Sequence, residues 1–177
     1  VFGRSDSPTA EKEGIFLICS FASSRRLVLR VGDLDHGYFQ GEKLSKPLIL
    51  KQPAGGLPDP KIKPDDRMLC FVPIYGTKDA GRGLWRRIRR VLLSEGFHEN
   101  EILSACYSYA KDGIVKAMVV IHVDDILFAY DDDMEPIFEK IWSQLLLGKQ
   151  ETWQFRFCGV EVLQDKSDFS ITVTCEE

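Results

Sequence analysis

Three aspartates lie where a carboxylate cluster could form. Asp33 ends an apolar, β-branched segment, and Asp124 and Asp125 separate two apolar runs, 118–123 and 126–130. Like charges a few ångströms apart raise each other's pKa, so such a cluster requires a counter-charge. Divalent cations held by aspartates can activate an attacking hydroxyl and stabilise a leaving oxygen, which is the chemistry of nucleotidyl transfer. The alternative is that Asp124 and Asp125 form only a polar turn, where aspartate is favoured.

The elements that would position these acids follow from hydrophobic periodicity and from turn residues. The pattern predicts helices over residues 8–24, 84–96 and 133–147, the last one capped by the acids at 131–133. It predicts strands over residues 27–33, 48–50, 67–72, 105–110, 114–123, 126–130, 153–163 and 169–174. Four prolines and two glycines make residues 51–66 a surface loop.

The main predicted elements are the strand at 27–33, the helix at 84–96, the strands at 116–123 and 126–130, the helix at 133–147 and the strand at 154–163. Their order is β-α-β-β-α-β, which indicates an α+β fold of the ferredoxin-like kind. In that arrangement the first and second strands run parallel, and the third lies between them. The carboxyl end of the first strand then lies beside the turn that joins the second and third strands. Asp33 would therefore meet Asp124 and Asp125 at one edge of the sheet. Asp35 is the rival to Asp33, because alternation places both residues on one face.

Length and composition fit one globular domain over residues 1–177, which we interpret as a segment cut from a longer chain. The chain has 23 basic and 27 acidic residues and a net charge of −4, which on its own argues against binding to nucleic acid. However, acids concentrate in 124–139 and five arginines in 82–90, so the net charge averages two opposite patches.

Cysteine usage and apolar stretches bear on localisation. The five cysteines include no C-x-x-C pair, which favours reduced thiols over a zinc motif. The longest apolar stretch, residues 15–22, is too short to span a membrane. We therefore expect an intracellular protein, cytoplasmic (in a particle or free) or nuclear, that is neither secreted nor bound to a membrane.

The sequence IHVDD at residues 121–125, between two apolar strands, resembles the Tyr-x-Asp-Asp box of reverse transcriptases. Four further blocks resemble those of copia-type retrotransposon reverse transcriptases, in the same order. The first is DLDHGYFQGE at 33–42. The other three are KQPAGG at 51–56, which resembles the family's "QP-x-G", IYGTKDAGRGLW at 74–85, which resembles "LYGLKQAPRAW", and FCGVEV at 157–162, which resembles "FLGIEV". The resemblance covers residues 7–163 and implies a reverse transcriptase palm with part of the fingers.

The resemblance implies a two-metal site. Asp33 and Asp124 would ligate two Mg²⁺ ions, or Mn²⁺ in their place, and Asp125 would support the site. The spacing from Asp33 to Gly41 matches the family's first motif, which favours Asp33 over Asp35.

The resemblance also implies nucleotide contacts. Tyr38 would exclude a ribose 2′-hydroxyl, with a core aromatic as its alternative. Leu34, Tyr75 and Gly76 would lie at the incoming nucleotide, and glycine permits close backbone approach.

Basic residues would bind the nucleic-acid backbone. Lys78, Arg82, Arg86 and Arg87 would contact phosphates without reading sequence; a solvated helix face explains the arginines equally well. The implied partners are an RNA template, a DNA primer, deoxynucleoside triphosphates, and the integrase and ribonuclease H segments of a polyprotein.

Three departures from the family pattern alter the walls of the expected pocket: His122 for an aromatic residue, Asp79 for glutamine or asparagine, and Gly81 for proline. A decayed or truncated element that keeps its palm as a non-catalytic nucleic-acid or protein-binding module is therefore the alternative function. Another ferredoxin-like two-metal enzyme, such as a nucleotidyl cyclase, would leave the Tyr75-Gly76 motif without a role.

Overall fold

A computed structural model describes residues 7–44, 46–59, 61–63, 65–77 and 80–175 of the chain. The α-helices are α1 (Lys12–Ser24), α2 (Ala80–Ser94) and α3 (Glu135–Gln144). The strands are β1 (Arg30–Leu34), β2 (Leu48–Leu50), β3 (Met68–Cys70), β4 (His98–Glu99), β5 (Cys106–Lys111), β6 (Ile114–His122), β7 (Asp125–Tyr130), β8 (Leu147–Thr152), β9 (Gln154–Phe157), β10 (Val160–Gln164) and β11 (Ile171–Cys175). Two 3₁₀ helices cover Gly37–Gln40 and Asp132–Met134. Helices and strands thus mix in one chain, which confirms the predicted α+β class.

The main sheet contains six strands in the order β4-β5-β6-β7-β1-β8. Every neighbouring pair in it is antiparallel. Strands β1 and β6, which flank β7, therefore run parallel. The predicted position of the third strand between the first and the second is confirmed.

The two faces of this sheet are covered by different layers. Val119 and Ile121 of β6 belong to a core shared with α2 and α3. Met118 and Val120, which alternate with them, belong to a second core shared with α1 and with the β9–β10 hairpin. Because both faces of β6 are covered, its sequence is a continuous apolar run rather than an alternating one.

Helix α2 forms because its apolar residues recur at helical spacing. Leu84, Ile88 and Leu92 are all buried, and the intervening arginines occupy the other sides. The helix begins at Ala80, earlier than the predicted residue 84. It ends in a Schellman motif: Gly96 has φ of 89°, and the Phe97 N–H donates to the Leu92 carbonyl at 3.0 Å.

The fourth strand of the central arrangement differs from the prediction. The structure places β8 beside β1, whereas residues 153–163 were predicted for that role. Strand β8 is an edge strand with mixed polar sequence, so it has no apolar alternation to identify it. Residues 154–164 instead form the β9–β10 hairpin, because Cys158 and Gly159 both adopt positive φ and turn the chain. Together with β11 this hairpin makes a separate three-stranded sheet.

Two helix starts also differ from the prediction. Helix α1 begins at Lys12 rather than at residue 8, and Glu11 provides no side-chain cap. Helix α3 begins after a 3₁₀ turn, and Asp131 does not cap that turn. The Asp131 carboxylate instead pairs with Arg25 at 2.8 Å and Lys116 at 2.9 Å, which ties α1 to the sheet.

The predicted loop over 51–66 contains neither helix nor strand in its described residues. It connects β2 to β3, which pair as a separate two-stranded sheet. No helix in the described ranges is long and apolar enough to cross a membrane.

Candidate active site at the carboxyl end of β1

Asp33 and Asp125 are cross-strand partners at the end of β1 and the start of β7. Just beyond them, the Leu34 N–H donates to the Asp124 carbonyl oxygen at 3.0 Å. The predicted meeting of the first strand's carboxyl end with the β6–β7 turn is therefore confirmed. Three acids from two distant parts of the sequence share one edge of the sheet.

The turn that carries Asp124 is a strained two-residue hairpin. His122 and Asp125 close it as cross-strand partners, and Val123 has φ of 60°. A type II′ hairpin turn needs a positive φ at its first central position, where glycine is normally found. A β-branched residue in this region costs roughly 1–3 kcal/mol, and such strain clusters at functional sites.

The three carboxylates repel one another. Burial, the Asp124 carboxylate and the Asp35 carboxylate all raise the pKa of Asp33, partly opposed by its hydrogen bond from the Leu34 N–H. Burial, Asp124 and Asp33 raise the pKa of Asp125, and His122 lowers it. Among the described residues, the groups that lower the pKa of these aspartates thus do not offset the negative charge of the cluster.

Asp35 lies beyond the end of β1. Its N–H donates to the Leu146 carbonyl at 2.9 Å, and its carboxylate contributes to the raised pKa of Asp33. It has no cross-strand partner on β7, in contrast with Asp33. The Asp35 carboxylate thus adds negative charge to the cluster, although it lies outside the β1–β7 pair.

Metal coordination is not seen in the arrangement of the side chains. Across the residues that the structure describes, no group of three or more histidine, cysteine, aspartate and glutamate side chains converges closely enough to hold an ion. The donor chemistry of the three aspartates nevertheless fits a hard divalent cation, because such ions prefer carboxylate oxygens. The repulsion among the carboxylates is also what a bound cation would relieve.

The 3₁₀ helix Gly37–Gln40 brings an aromatic side chain to the acids. His36, before it, has φ of 53°, and Gly37 lies directly against the β6–β7 turn. A Cβ atom at Gly37 would be 3.0 Å from the Asp124 Cβ and 3.2 Å from Leu84. The close approach of the backbone to Asp124 therefore requires glycine at position 37. It also places Tyr38, the next residue, near Asp124.

Tyr38 and Tyr75 form an edge-to-face pair with ring centroids 4.4 Å apart. Burial, the Asp124 carboxylate and Tyr75 raise the pKa of the Tyr38 hydroxyl. Tyr75 is 58% exposed, and Phe39 extends the aromatic surface with a centroid 6.4 Å from the Tyr75 ring. The two tyrosines thus form an open aromatic surface beside the carboxylates.

The remaining residues predicted at the nucleotide divide into two kinds of environment. Gly76 has φ of 86°, and among the described residues beyond its chain neighbours no atom lies within 4 Å of where its Cβ would be, so this side of its backbone is open. Leu34 is 1% exposed and packs in the core with α2. Its side chain is therefore not available to a ligand, and its N–H is already bonded to Asp124.

Residues 2–174 match the family model described as "Reverse transcriptase (RNA-dependent DNA polymerase)". The chain belongs to this family. A stretch of 131 residues is also 28% identical to the "Retrovirus-related Pol polyprotein from transposon RE2" of Arabidopsis thaliana. That stretch is 74% of this chain but only 9% of the polyprotein. No solved structure matches the chain. The resemblance predicted from the five motif blocks is confirmed.

In this reverse transcriptase family member, much of the arginine cluster on α2 is engaged within the protein. Arg87 donates to the Gln144 carbonyl at 2.8 Å, Arg89 pairs with Glu99 at 2.7 Å, and Arg90 pairs with Glu42. These contacts give the arginines a role without nucleic acid, as the alternative of a solvated helix face also does. They leave phosphate binding by the cluster as a prediction.

The other basic residues predicted at nucleic acid differ in their surroundings. The Arg82 guanidinium lies 5.5 Å from the Trp85 ring centroid, and Arg86 is exposed. Lys78 lies outside the described residues, as does the departure at Asp79. Gly81, the third departure, lies in the first turn of α2.

Sequence reasoning missed two features of the site. The tight packing of Gly37 on Asp124 is one, and its signal was a glycine inside the first motif block. The other is a contact between His122 and Cys158, whose Sγ lies 3.2 Å from the imidazole Nδ1. His122 departs from a family motif, but the sequence gives no sign that it contacts Cys158.

Proposed function

We propose that this chain is the palm region of a copia-type reverse transcriptase that performs RNA-directed DNA synthesis. It would transfer a nucleotidyl group from a deoxynucleoside triphosphate to the 3′-hydroxyl of a DNA primer on an RNA template. One observation carries the proposal: Asp33 faces Asp125 across the β1–β7 pair, with Asp124 in the adjoining turn. The order β8-β1-β7-β6, with α2 and α3 on one face, supports a ferredoxin-like palm.

Asp33 and Asp124 would hold two Mg²⁺ ions, and Asp125 would support them. Such ions make the primer hydroxyl a better nucleophile and offset charge on the leaving pyrophosphate. The fit rests on the donor set, because burial and the neighbouring carboxylates, which raise the pKa of Asp33 and Asp125, disfavour three ionised carboxylates without a cation. Mn²⁺ prefers the same oxygen ligands and would serve as a substitute.

The aromatic pair would orient the incoming nucleotide. Tyr38, held edge-on by Tyr75 and next to Asp124, would pack against the sugar and leave no room for a 2′-hydroxyl. Gly76 would let the backbone approach the base pair, because no described residue beyond its chain neighbours lies within 4 Å of where its Cβ would be. Leu34 would not contact the nucleotide through its buried side chain; it would fix the end of β1 by packing in the core.

Basic residues would hold the template and primer by their phosphates. Arg86 is exposed, and Arg82, Arg87 and Lys78 would add to its contribution. Because Arg87 donates to a backbone carbonyl, its contribution would require a change of rotamer. Integrase and ribonuclease H segments of a polyprotein would be the covalent partners of this region.

Primer extension tests the proposal. The wild-type chain, and the polyprotein that includes its neighbouring coding sequence, would be given an RNA template, a labelled DNA primer, deoxynucleoside triphosphates and Mg²⁺. Asp124→Asn should reduce incorporation at least about 100-fold, because loss of a residue that only supports a metal ligand already costs 10–100-fold. Asp112→Asn is the matched control, since Asp112 lies in the exposed β5–β6 turn. Equal incorporation by wild type and Asp124→Asn would refute the assigned site.

A non-catalytic nucleic-acid or protein-binding module is the second candidate. It is favoured by the lack of a converged ion-binding group in the described part of the chain and by the ion pairs on α2. Titration with Mg²⁺, followed by calorimetry, separates the two candidates. Binding that disappears in Asp33→Asn supports the polymerase, whereas absence of any binding that depends on Asp33 supports the module.

A further inference from the structure

The side chain of Gln40 joins the backbone beyond the end of β1 to the backbone before the start of β8. Its Oε1 accepts a hydrogen bond from the Leu146 N–H at 2.9 Å, and its Nε2 donates to the Asp35 carbonyl at 2.7 Å and to the Leu146 carbonyl at 3.2 Å. One N–H donor and two carbonyl acceptors fix the orientation of this amide, because only its nitrogen end can donate. One side chain thus holds two separate segments of the backbone together.

The Gln40 amide completes a strand pairing that the backbone makes only in part. Asp35 and Leu146 lie just beyond Leu34 and Leu147, the last partners in the β1–β8 ladder, and the Asp35 N–H donates to the Leu146 carbonyl at 2.9 Å. In a closely spaced antiparallel pair the Leu146 N–H would donate in return to the Asp35 carbonyl. Here the Gln40 amide lies between those two groups and bonds to both. We call this contact of Asp35, Leu146 and the Gln40 amide the β1–β8 junction.

Gln40 is also the last residue of the 3₁₀ helix Gly37–Gln40, which carries Tyr38. A 3₁₀ helix of four residues has poor hydrogen-bond geometry and depends on its contacts for stability. Residues three apart eclipse each other in such a helix, so Gly37 and Gln40 lie on one side of it. Gly37 packs directly on Asp124, and Gln40 bonds to the β1–β8 junction. The helix is therefore attached to the main sheet at both of its ends.

Tyr38 lies between these two attachments. Its ring packs edge-on against Tyr75, with centroids 4.4 Å apart, and the Asp124 charge acts on its hydroxyl. Tyr75 lies between β3 and α2 and is 58% exposed, so it restricts the Tyr38 ring only weakly. The position of Tyr38 relative to the aspartates therefore depends on the helix backbone, which Gly37 and Gln40 hold.

The carboxylate side of the site is held by other contacts. Asp33 pairs with Asp125 on β7, and its neighbour Gly32 pairs with Gln150 on β8, so β1 lies between two bonded strands. Asp33 would therefore keep its place if the Gln40 amide were lost. The aromatic ring and the carboxylates can thus be disturbed separately.

We propose that Gln40 is a positioning residue for sugar selection: its amide holds the 3₁₀ helix on the β1–β8 junction and so fixes the Tyr38 ring where it would meet the sugar of an incoming nucleotide. Gln40 would act through Tyr38 and would touch neither the nucleotide nor a metal ion. A misplacement of about 1 Å can cost about 100-fold in rate, so a ring that must exclude one hydroxyl is sensitive to how its helix is held. Sugar selection rests on the proposed function, whereas the placement of Tyr38 by Gln40 does not.

Primer extension with deoxynucleotides and with ribonucleotides tests the proposal, in the chain or in the polyprotein that contains it. Gln40→Met keeps the length of the side chain but cannot donate a hydrogen bond. It should lower the ratio of kcat/KM for deoxynucleotide over ribonucleotide at least about tenfold. The change should lie mainly in KM, with kcat for the deoxynucleotide nearly unchanged, because the carboxylates stay in place.

Gln144→Met is the matched control for this substitution. Gln144 is exposed, and its amide bonds to the Glu95 carboxylate and the Lys140 carbonyl rather than to the 3₁₀ helix. This variant should keep the wild-type ratio. If Gln40→Met lowers incorporation of both nucleotides to the same extent and leaves the ratio unchanged, Gln40 has only a structural role and the proposal is overturned.

Gln40→Asn provides a graded variant. It keeps the amide on a side chain that is one methylene shorter, so it should lower the ratio in the same direction but by less than Gln40→Met. If Gln40→Met does not fold, the asparagine variant decides the question, and a wild-type ratio in that variant would overturn the proposal.

Nuclear magnetic resonance follows the placement of Tyr38 without any activity. Overhauser contacts between the rings of Tyr38 and Tyr75 should be strong in the wild type and weaker in Gln40→Met. Contacts between the rings of Tyr130 and Phe138, 4.0 Å apart in the core, should stay the same and report an intact fold. Unchanged contacts between Tyr38 and Tyr75 would overturn the proposal. A wild-type chain that never extends a primer would instead refute the polymerase, and the ring contacts would still decide whether Gln40 places Tyr38.

Discussion

Asp33 and Asp125 face each other across the β1–β7 pair, so two acidic side chains lie directly opposite each other on the sheet. Like charges directly opposite each other destabilise a strand pair by about 0.2–1 kcal/mol. Burial and neighbouring carboxylates raise the pKa of both groups, Asp33 from its ordinary value of 3.8. The fold therefore tolerates a repulsion at this site that an uncharged pair would not have.

Replacing either acid by asparagine should stabilise the protein. We expect Asp33→Asn and Asp125→Asn each to raise the free energy of unfolding by about 0.5 kcal/mol at pH 7, with solvent screening limiting the effect. Because the pKa of each group is raised in the folded state, wild-type stability is fully present below the unfolded pKa and falls as the pH rises through the folded pKa. The advantage of the variants should therefore be smaller near pH 4 than at pH 7.

Urea denaturation at the two pH values checks this expectation. Asp112→Asn, in the exposed β5–β6 turn, should change stability little at either pH. A loss of stability in both site variants at pH 7 would contradict the proposed repulsion.

The turn between β6 and β7 offers a separate test of strain. Val123 has φ of 60°, so Val123→Gly should increase the free energy of unfolding by about 1 kcal/mol, since glycine adopts this conformation without a steric penalty. Val123→Ala keeps a Cβ and should gain less. Chemical denaturation of the three proteins measures the order, and a glycine variant less stable than the wild type would show that Val123 is not strained.

The convergence of the acids could be predicted because it depends on element order. The apolar runs on both sides of Asp124 identified β6 and β7, and the order of elements then placed β1 beside β7. Strand β8 could not be predicted, because an edge strand rich in polar residues has no periodic signal. Residues 158–159 were placed inside a strand, because positive φ at a cysteine is not visible in its residue type.

Contacts between side chains could be predicted from the sequence even less well than the strands. His122 was visible as a departure from a motif, but its contact with Cys158 depends on how the β9–β10 hairpin packs on the main sheet. The engagement of Arg89 and Arg90 by Glu99 and Glu42 likewise depends on tertiary neighbours. The spacing of the arginines could suggest a basic surface but could not show which charges are already paired.

Gly37 should be sensitive to a single methyl group. In Gly37→Ala the new Cβ would lie 3.0 Å from the Asp124 Cβ, so the β6–β7 turn or the 3₁₀ helix must move. We expect a loss of about 1–3 kcal/mol in the free energy of unfolding. We also expect weaker Mg²⁺ binding, because Asp124 is displaced.

Gly14 provides the matched control for this substitution. It lies in α1, and the nearest atom to an added Cβ is 3.9 Å away, so Gly14→Ala should fit. Alanine in place of glycine in a helix should increase stability by about 0.5–1 kcal/mol. Thermal or urea unfolding of both variants should give effects of opposite sign, and a Gly37→Ala variant as stable as the wild type would contradict the steric argument.

Gln164 links the β9–β10 hairpin to the segment that leads into β1. Its side chain is 2% exposed; Oε1 accepts a hydrogen bond from the Leu29 N–H and Nε2 donates one to the Leu27 carbonyl, both at 2.9 Å. Gln164→Met would keep the shape but leave both backbone groups without their partner, so the free energy of unfolding should fall by about 2–4 kcal/mol. Gln154→Met removes an exposed amide that bonds Glu161 and should cost less than about 0.5 kcal/mol. Urea denaturation measures both, and similar losses in the two variants would show that Gln164 does not hold β1 in place.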